Sequence, residues 1–160
     1  MRASVTIAIQ AEPFSIAHES AALQQSGGDV GAVATFTGYC RSEGGRLSAL
    51  ELEHYPGMAE DEIRRVVDEA LTRWSLLAVR VIHRYGRMAP GDEIVFVGTA
   101  STHRAAAFAA CEFLMDYLKT RAPFWKKEYL SDGREGAWVE AKTEDDAATA
   151  RWAAPDRGPC

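Results

Sequence analysis

The chain has 160 residues, of which 47% are hydrophobic and 26% are charged. This length is typical of one domain, and such a chain can bury a sizeable core without disulfides or a structural metal. The net charge of −5 argues against general nucleic-acid binding, although basic residues can still gather in one pocket.

The cysteines and the apolar segments indicate the compartment. Cys40, Cys111 and Cys160 have no CxxC spacing, which predicts neither a disulfide framework nor a metal site and fits a reducing environment. The first ten residues lack the apolar core of a secretion signal, and no apolar run approaches the roughly 20 residues that span a bilayer. We therefore expect a cytoplasmic protein with no metal and no membrane or nucleic-acid partner.

Six segments have the alternation or the β-branched content of strands. They begin near the N-terminus and continue along the chain at 5–9, 32–37, 50–53, 79–85, 93–97 and 137–141. A Met-Ala-Pro-Gly-Asp turn, at 88–92, joins the fourth segment to the fifth.

Two segments have strong helical periodicity. Apolar residues at helical spacing predict a helix over 59–74, with three acidic residues in its first turn. A second helix is predicted over 102–119, with Ser101 as its N-cap and Pro123 ending it. Its expected buried stripe consists of Phe108, Cys111, Met115 and Leu118.

Weaker periodicity predicts helices over 16–25 and 144–152. Strands and helices are mixed without a regular βαβ alternation, so the predicted fold class is α+β. We expect one domain over 1–152 and a flexible C-terminal tail over 153–160.

The segment 101–127 concentrates positive charge in an acidic protein. His103 and Arg104 are predicted in the first turn of a helix, where free backbone N–H groups favour a phosphate or carboxylate. Lys119 falls in the last turn, followed by Arg121, Lys126 and Lys127. The alternative is purely structural, because cations near a helix C-terminus stabilise the helix by about 0.3–1 kcal/mol each.

A glycine-rich segment at 38–45 follows a predicted strand and contains Arg41. Its backbone could approach a ligand closely, but the local sequence favours an ordinary hairpin loop with a solvated arginine. It has no nucleotide-binding motif. Glu53 and His54 are adjacent in a predicted strand, so alternation would direct their side chains to opposite faces.

Taken together, several segments resemble the large subunit of molybdopterin synthase. They occur in the family's order and cover most of the region from Val30 to Trp152, the most specific being 116–126. The matching segments are TFTGYCR (35–41), LELEHYPGM (50–58), VIHRYG (81–86), PGDEIVFVG (90–98), STHRAAAF (101–108) and MDYLKTRAPFWKKE (115–128).

The resemblance implies an α/β hammerhead-like fold and a homodimer at the centre of a heterotetramer. Each outer subunit would be a small ubiquitin-like sulfur carrier with a C-terminal Gly-Gly thiocarboxylate. Its tail would enter a pocket of the large subunit and pass two sulfurs in turn to cyclic pyranopterin monophosphate, which gives molybdopterin. The resemblance implies no cofactor for this subunit.

The resemblance also implies roles for individual residues. Lys119 would be the principal catalytic residue, with Lys126 as its basic neighbour, and Phe36 would lie near the tail of the carrier. The remaining implied positions form the substrate-binding set, which consists of Arg41 with the preceding Tyr39 and Cys40, His103, Arg104, Lys127 and Glu128.

Two other functions remain open at this point. A sulfurtransferase could carry a persulfide on its own Cys40 or Cys111, and Cys40 beside Arg41 has the surroundings that might lower a thiol pKa. A scaffold could also bind the small carrier protein without performing chemistry. Serine substitution of both cysteines separates the first function from the synthase, and loss of Lys119 separates the second.

Overall fold

The computed structural model describes residues 2–140 and 149–153. In chain order the elements are β1 (Ser4–Gln10), α1 (Ile16–Gln24), β2 (Ala32–Tyr39), β3 (Leu47–His54), α2 (Met58–Arg73), β4 (Ala78–Arg84), β5 (Gly86–Met88), β6 (Glu93–Ser101), α3 (Arg104–Arg121), β7 (Phe124–Leu130) and β8 (Val139–Glu140).

The strands form two four-stranded sheets. The first, sheet A, has the order β1-β4-β6-β2, in which β1 is parallel to β4 and the other pairs are antiparallel. The second, sheet B, has the order β5-β3-β7-β8 and is antiparallel throughout. The mixed architecture confirms the predicted α+β class.

Helices cover both faces of sheet A. On one face α2 and α3 bury a large cluster that includes Ile63, Val67 and Phe113, all fully shielded from solvent. On the other face Leu23 of α1 packs with Phe96 and its neighbours. Because β6 is central and covered on both sides, most of its residues are buried, and this strand anchors the fold.

The predicted helix over 59–74 is confirmed as α2. Its N-cap, Gly57, has a φ of 84°, and its amide donates to the Glu60 carboxylate at 2.7 Å. The helix predicted over 16–25 is confirmed as α1, capped by the side chain of Ser15. Most of the helix predicted over 144–152 lies outside the described residues, as does all but Ala153 of the predicted tail.

The second strong helix exists, but two details of its prediction were wrong. Ser101 does not cap it, because Ser101 ends β6 and its hydroxyl donates to the Ser75 carbonyl at 2.9 Å; the N-cap is His103. Phe108 is 67% exposed, because it lies one position beyond Ala107, which faces the core. The stripe therefore uses Ala107 and Ala110 where Phe108 had been expected.

All six predicted strands exist, whereas β5 and β7 were not predicted. The sequence of β7, FWKKEYL, has no apolar alternation, and its strand conformation comes from pairing along β3. The strand predicted over 79–85 ends at Arg84, because Gly86 adopts a φ of 95° and the chain then enters sheet B as β5. Tertiary pairing therefore decided these two elements.

Among the described residues, no helix has the length and apolar character needed to cross a membrane. The same residues contain no cluster of three or more His, Cys, Asp or Glu side chains that could hold a metal ion.

Candidate active site

A cavity of about 560 Å³ lies where the ends of sheet A meet sheet B and the last turn of α3; we call it the Lys119 cavity. Its interior is mostly apolar, and its cationic side chains are Arg41 and Lys119. The wall consists of Phe36, Thr37, Gly38, Tyr39, Arg41, Leu50, Leu52, His83, Ile94, Val95, Met115, Leu118, Lys119, Ala122 and Phe124.

The last turn of α3 places Lys119 at this cavity. Met115 and Leu118, on the same part of the helix, are buried and fix its rotation, whereas Lys119 is exposed. The chain leaves the helix at Ala122, whose backbone is extended, and Phe124 then begins β7 as a buried part of the wall. The sequence that ends the helix therefore also builds the wall beside Lys119.

The end of β2 places Arg41. The Cys40 amide donates to the Asp92 carbonyl at 2.8 Å, and the Gly91 amide donates to the Cys40 carbonyl at 2.8 Å. Those two bonds tie the residue before Arg41 to the turn that precedes β6. Gly38 lets the strands approach, since a Cβ there would meet a Val95 methyl at 2.8 Å.

Two exposed aromatic side chains stand on the β2 wall. Phe36 is 39% exposed and Tyr39 is 49% exposed, and both line the Lys119 cavity. The structure thus places Phe36 and Tyr39 in the same cavity wall as Arg41 and Lys119.

Lys126 and Glu128 share the cavity face of β7, although neither belongs to the cavity wall. They lie directly opposite Leu52 and Leu50, and opposite residues in an antiparallel pair project to the same side. Glu128 accepts a hydrogen bond from Arg46 at 2.9 Å, which ties it to the glycine-rich loop. An ion-paired carboxylate does not suit the binding of an anion, so its contact with Arg46 indicates a structural role.

The glycine-rich loop brings Lys126 and Arg41 into one electrostatic environment. The pKa of the Glu43 carboxyl is lowered, first by its hydrogen bond from Arg46 and further by the charges of Arg46, Arg41 and Lys126. Arg41 and Lys126 therefore act on the same loop carboxylate.

Lys127 lies on the opposite face of β7, contrary to the expectation that it lines the pocket. Its ammonium pairs with Glu135 at 3.1 Å and lies over the Tyr129 ring. The pairing with Glu135 raises the pKa of Lys127. Strand alternation accounts for the difference, because neighbours of Lys126 must point away from it.

His103 and Arg104 are not brought to the Lys119 cavity of the same chain. Both are exposed at the start of α3, and Lys119 is 15 residues beyond Arg104. A helical rise of 1.5 Å per residue separates these positions by about 22 Å, more than one small substrate spans. The three-residue anion site with Arg41 is therefore not assembled within one chain.

The two cysteines of the described region are buried. Cys40 is 3% exposed, beside Leu52 and Met88, and burial followed by the charge of Asp92 raises its thiol pKa. Burial raises the pKa of Cys111 to about 11. Both thiols are therefore protonated at neutral pH, contrary to the lowered pKa considered for Cys40, which disfavours a persulfide mechanism and removes Cys40 from contact with substrate.

His83 was not predicted as a site residue. It lies near the end of β4, lines the cavity, and stacks on Phe124 with ring centroids 3.8 Å apart. Burial lowers its pKa to about 4. A polar residue within the apolar run VRVIHR was the available indication, but the strand alone does not reveal which cavity it faces.

His54 ends β3, and its side chain is buried. The Glu53 carboxylate lies 3.5 Å from Nδ1 of His54. It also accepts a hydrogen bond from the backbone amide of His54 at 3.0 Å. The two side chains therefore meet despite strand alternation, because the longer glutamate chain folds over the edge.

Residues 9–121 match the family model described as MoaE protein. A molybdopterin synthase catalytic subunit from Mesorhizobium japonicum is 60% identical over 147 residues, which are 92% of each chain. The structure of a molybdopterin biosynthesis MoaE protein from Burkholderia ambifaria has a TM-score of 0.83 at 49% identity, covering 94% of this chain and 99% of that one.

A crystal structure of molybdopterin synthase from Staphylococcus aureus has a TM-score of 0.73 at 30% identity, covering 82% of this chain and 94% of that chain. These similarities extend over nearly the whole length of the relatives. The chain belongs to the MoaE protein family.

Proposed function

We propose that this chain is the catalytic subunit of a molybdopterin synthase. It transfers sulfur from the thiocarboxylated C-terminus of a small ubiquitin-like carrier to cyclic pyranopterin monophosphate and so forms the dithiolene of molybdopterin. The observation that carries this proposal is an apolar cavity that has Lys119 and Arg41 together in its wall. Family membership and a 60% identical catalytic subunit support it.

The electrostatics of the cavity suit both ligands. The substrate carries a phosphate and the carrier tail ends in a thiocarboxylate, so the site must gather negative charge. Arg41 offers a fork of N–H donors and Lys119 a compact ammonium, both next to apolar surface. In such surroundings charge–charge interactions are stronger than in bulk water.

Lys119 supplies the proton chemistry in this proposal. The thiocarboxylate sulfur forms a C–S bond with the substrate, water later cleaves the acyl–S bond, and an oxygen of the substrate leaves as water. An amine at the cavity wall can protonate the departing oxygen and take a proton back from the attacking group. Lys126, on the neighbouring strand, adds positive charge near the reacting anions.

The aromatic side chains of β2 suit an extended tail. Phe36 and Tyr39 are both large and partly exposed, and both offer ring surface at the cavity wall. A Gly-Gly tail has no side chains and can pass between them into the narrow interior. The carrier partner is part of the proposal for this reason.

The homodimer is also part of the proposal, and the position of α3 gives it a testable form. His103 and Arg104 can join the same anion site as Arg41 only if a second copy supplies them, since about 22 Å of helix separates them from Lys119 of their own chain.

The direct test is reconstitution. The purified chain is mixed with a thiocarboxylated carrier and cyclic pyranopterin monophosphate, and molybdopterin is assayed as the product. Product formation supports the synthase; no product despite a confirmed carrier complex would favour a binding module without chemistry. A Cys40→Ser, Cys111→Ser double variant is the control, because a persulfide enzyme would lose activity and the synthase would keep it.

A further inference from the structure

The Lys119 cavity has an imidazole ring, that of His83, among its mostly apolar wall residues. His83 lies next to the end of β4, and its ring stacks on Phe124 with an angle of 17° between the planes. Leu52 and Ile94 are further wall residues of the same cavity. The proposed reaction described above gives this imidazole no role.

The hydrogen bond of His83 fixes which nitrogen carries its proton. Nδ1 lies 2.8 Å from the Arg84 carbonyl oxygen. A carbonyl oxygen can only accept, so the proton is on Nδ1, and Nε2 of the neutral ring presents a lone pair. Because burial lowers the pKa of His83 to about 4, the ring keeps this neutral form at physiological pH.

Nε2 is available to a ligand. Among residues 2–140 and 149–153, the side-chain nitrogens that are fully buried and have no hydrogen-bond partner belong to His54 and Arg73. Nε2 of His83 has no partner among those residues either but is not in this fully buried group, so it is accessible from the cavity. The nitrogen bonded to a partner in His83 is Nδ1. An acceptor in apolar surroundings gains a full hydrogen bond when a ligand brings a donor to it.

We propose that Nε2 of His83 accepts a hydrogen bond from an N–H group of the ligand that fills the Lys119 cavity. This inference rests on the proposed function and makes His83 a binding residue of the same site. Phosphate and thiocarboxylate groups are acceptors, which Arg41 and Lys119 can bind, whereas a neutral imidazole acceptor repels them. The cavity therefore has separate positions for the anionic end and for an N–H group.

Two components of the reaction carry such a donor. The pterin ring of the substrate has N–H groups, and so does the backbone of the carrier's Gly-Gly tail. Each ligand is therefore measured separately, with the other held at saturation.

The roles of the two ring nitrogens of His83 can be tested with two amide substitutions. His83→Gln places an amide oxygen near the position of Nε2, whereas His83→Asn places its amide near Nδ1 and removes the outer acceptor. We expect His83→Asn to raise KM about 3- to 10-fold for one of the two ligands, as expected for one lost hydrogen bond. His83→Gln should recover most of the loss, and kcat should change less than KM.

Measuring the two ligands separately shows which of them carries the N–H donor. A raised KM and Kd for the cyclic substrate alone assigns the donor to the pterin, and a raised Kd for the carrier alone assigns it to the tail. His18→Asn is the matched control, because His18 is exposed on α1, away from the cavity. It should leave both constants unchanged.

Unchanged KM and Kd in His83→Asn would overturn the inference. So would equal losses in both amide variants with a matching fall in Tm, because that pattern indicates packing rather than an acceptor. Calorimetric binding of the carrier and of the substrate gives the same comparison without turnover. A wild-type chain that binds both ligands but forms no product would contradict the proposed reaction. The Kd values of the His83 variants would still test the hydrogen bond to Nε2.

Discussion

The two ends of α3 carry basic side chains in different surroundings. At the start of the helix, His103 and Arg104 are exposed and lie outside the Lys119 cavity. At its end, Lys119 stands in the cavity wall beside the buried Met115 and Leu118. Positive charge at a helix end therefore indicates only a candidate anion-binding residue. A neighbouring apolar cavity is what distinguishes an assembled site from an exposed surface.

The largest effect should come from removing the ammonium at the cavity end. Lys119→Ala should lower kcat about 10²- to 10⁴-fold, because a positioned acid–base group contributes that much. Lys119→Arg keeps the charge but cannot readily give up its proton, so it should restore carrier binding without restoring turnover. Single-turnover product formation and carrier affinity measure the two separately.

Arg121→Ala is the control for the Lys119 variants, because Arg121 lies on the same turn but stacks on Tyr117, outside the cavity wall. Near-normal sulfur transfer by Lys119→Ala would remove the catalytic role of this residue and with it the distinction between the two helix ends.

The opposite end of α3 can be tested by mixing variants. If His103 and Arg104 serve the cavity of a second copy, Lys119→Ala chains mixed with His103→Ala, Arg104→Ala chains should regain activity. In an equal mixture, half of the dimers would contain one chain of each variant, and one of the two sites in each such dimer would be intact. About a quarter of wild-type activity is therefore expected for a symmetric dimer.

Separate variants and the mixed sample are compared at equal total protein. Activity of the mixture that stays at the level of its inactive components would show that the start of α3 does not act across the dimer.

A glycine in the β2 wall gives the next effect. Gly38→Ala should cost about 1–3 kcal/mol of stability, because its Cβ would meet a Val95 methyl at 2.8 Å and a Phe36 ring carbon at 3.3 Å. Displacement of Phe36 should also weaken carrier binding. Gly136→Ala is the control, because the atom nearest to its Cβ would be the Glu128 carbonyl oxygen at 3.4 Å, an ordinary contact distance. Denaturant unfolding measures the stability, and equal costs in both variants would contradict a close fit at Gly38.

The pH dependence of stability gives an effect of similar size. The pKa of His83 is lowered to about 4 in the fold, so the unfolded chain binds a proton that the folded chain excludes between that value and about 6.5. The free energy of unfolding should therefore rise with pH across this window, by on the order of 1–3 kcal/mol in total. His83→Gln should flatten the rise, whereas His18→Gln should retain it, as followed by urea unfolding at several pH values.

The family-specific sequences located more of the site than periodicity did. The resemblance over 35–41 and 115–128 indicated Phe36 and Lys119 as site residues, and both line the Lys119 cavity. Periodicity gave the helices and most strands, but it also put Phe108 in the core and missed β7, whose residues do not alternate in polarity. Pairing with β3 supplies what the local sequence lacks.

The sequence by itself determined the periodic elements, the α+β class and the residues from which a site could be made. These follow from local propensity and from the burial of regularly spaced apolar side chains. Only the tertiary structure decided that Lys126 and Lys127 lie on opposite faces of β7, that the thiol of Cys40 is buried, and that His83 lines the same cavity as Lys119. Such facts depend on which strands pair and which helix covers them, contacts between residues far apart in the chain.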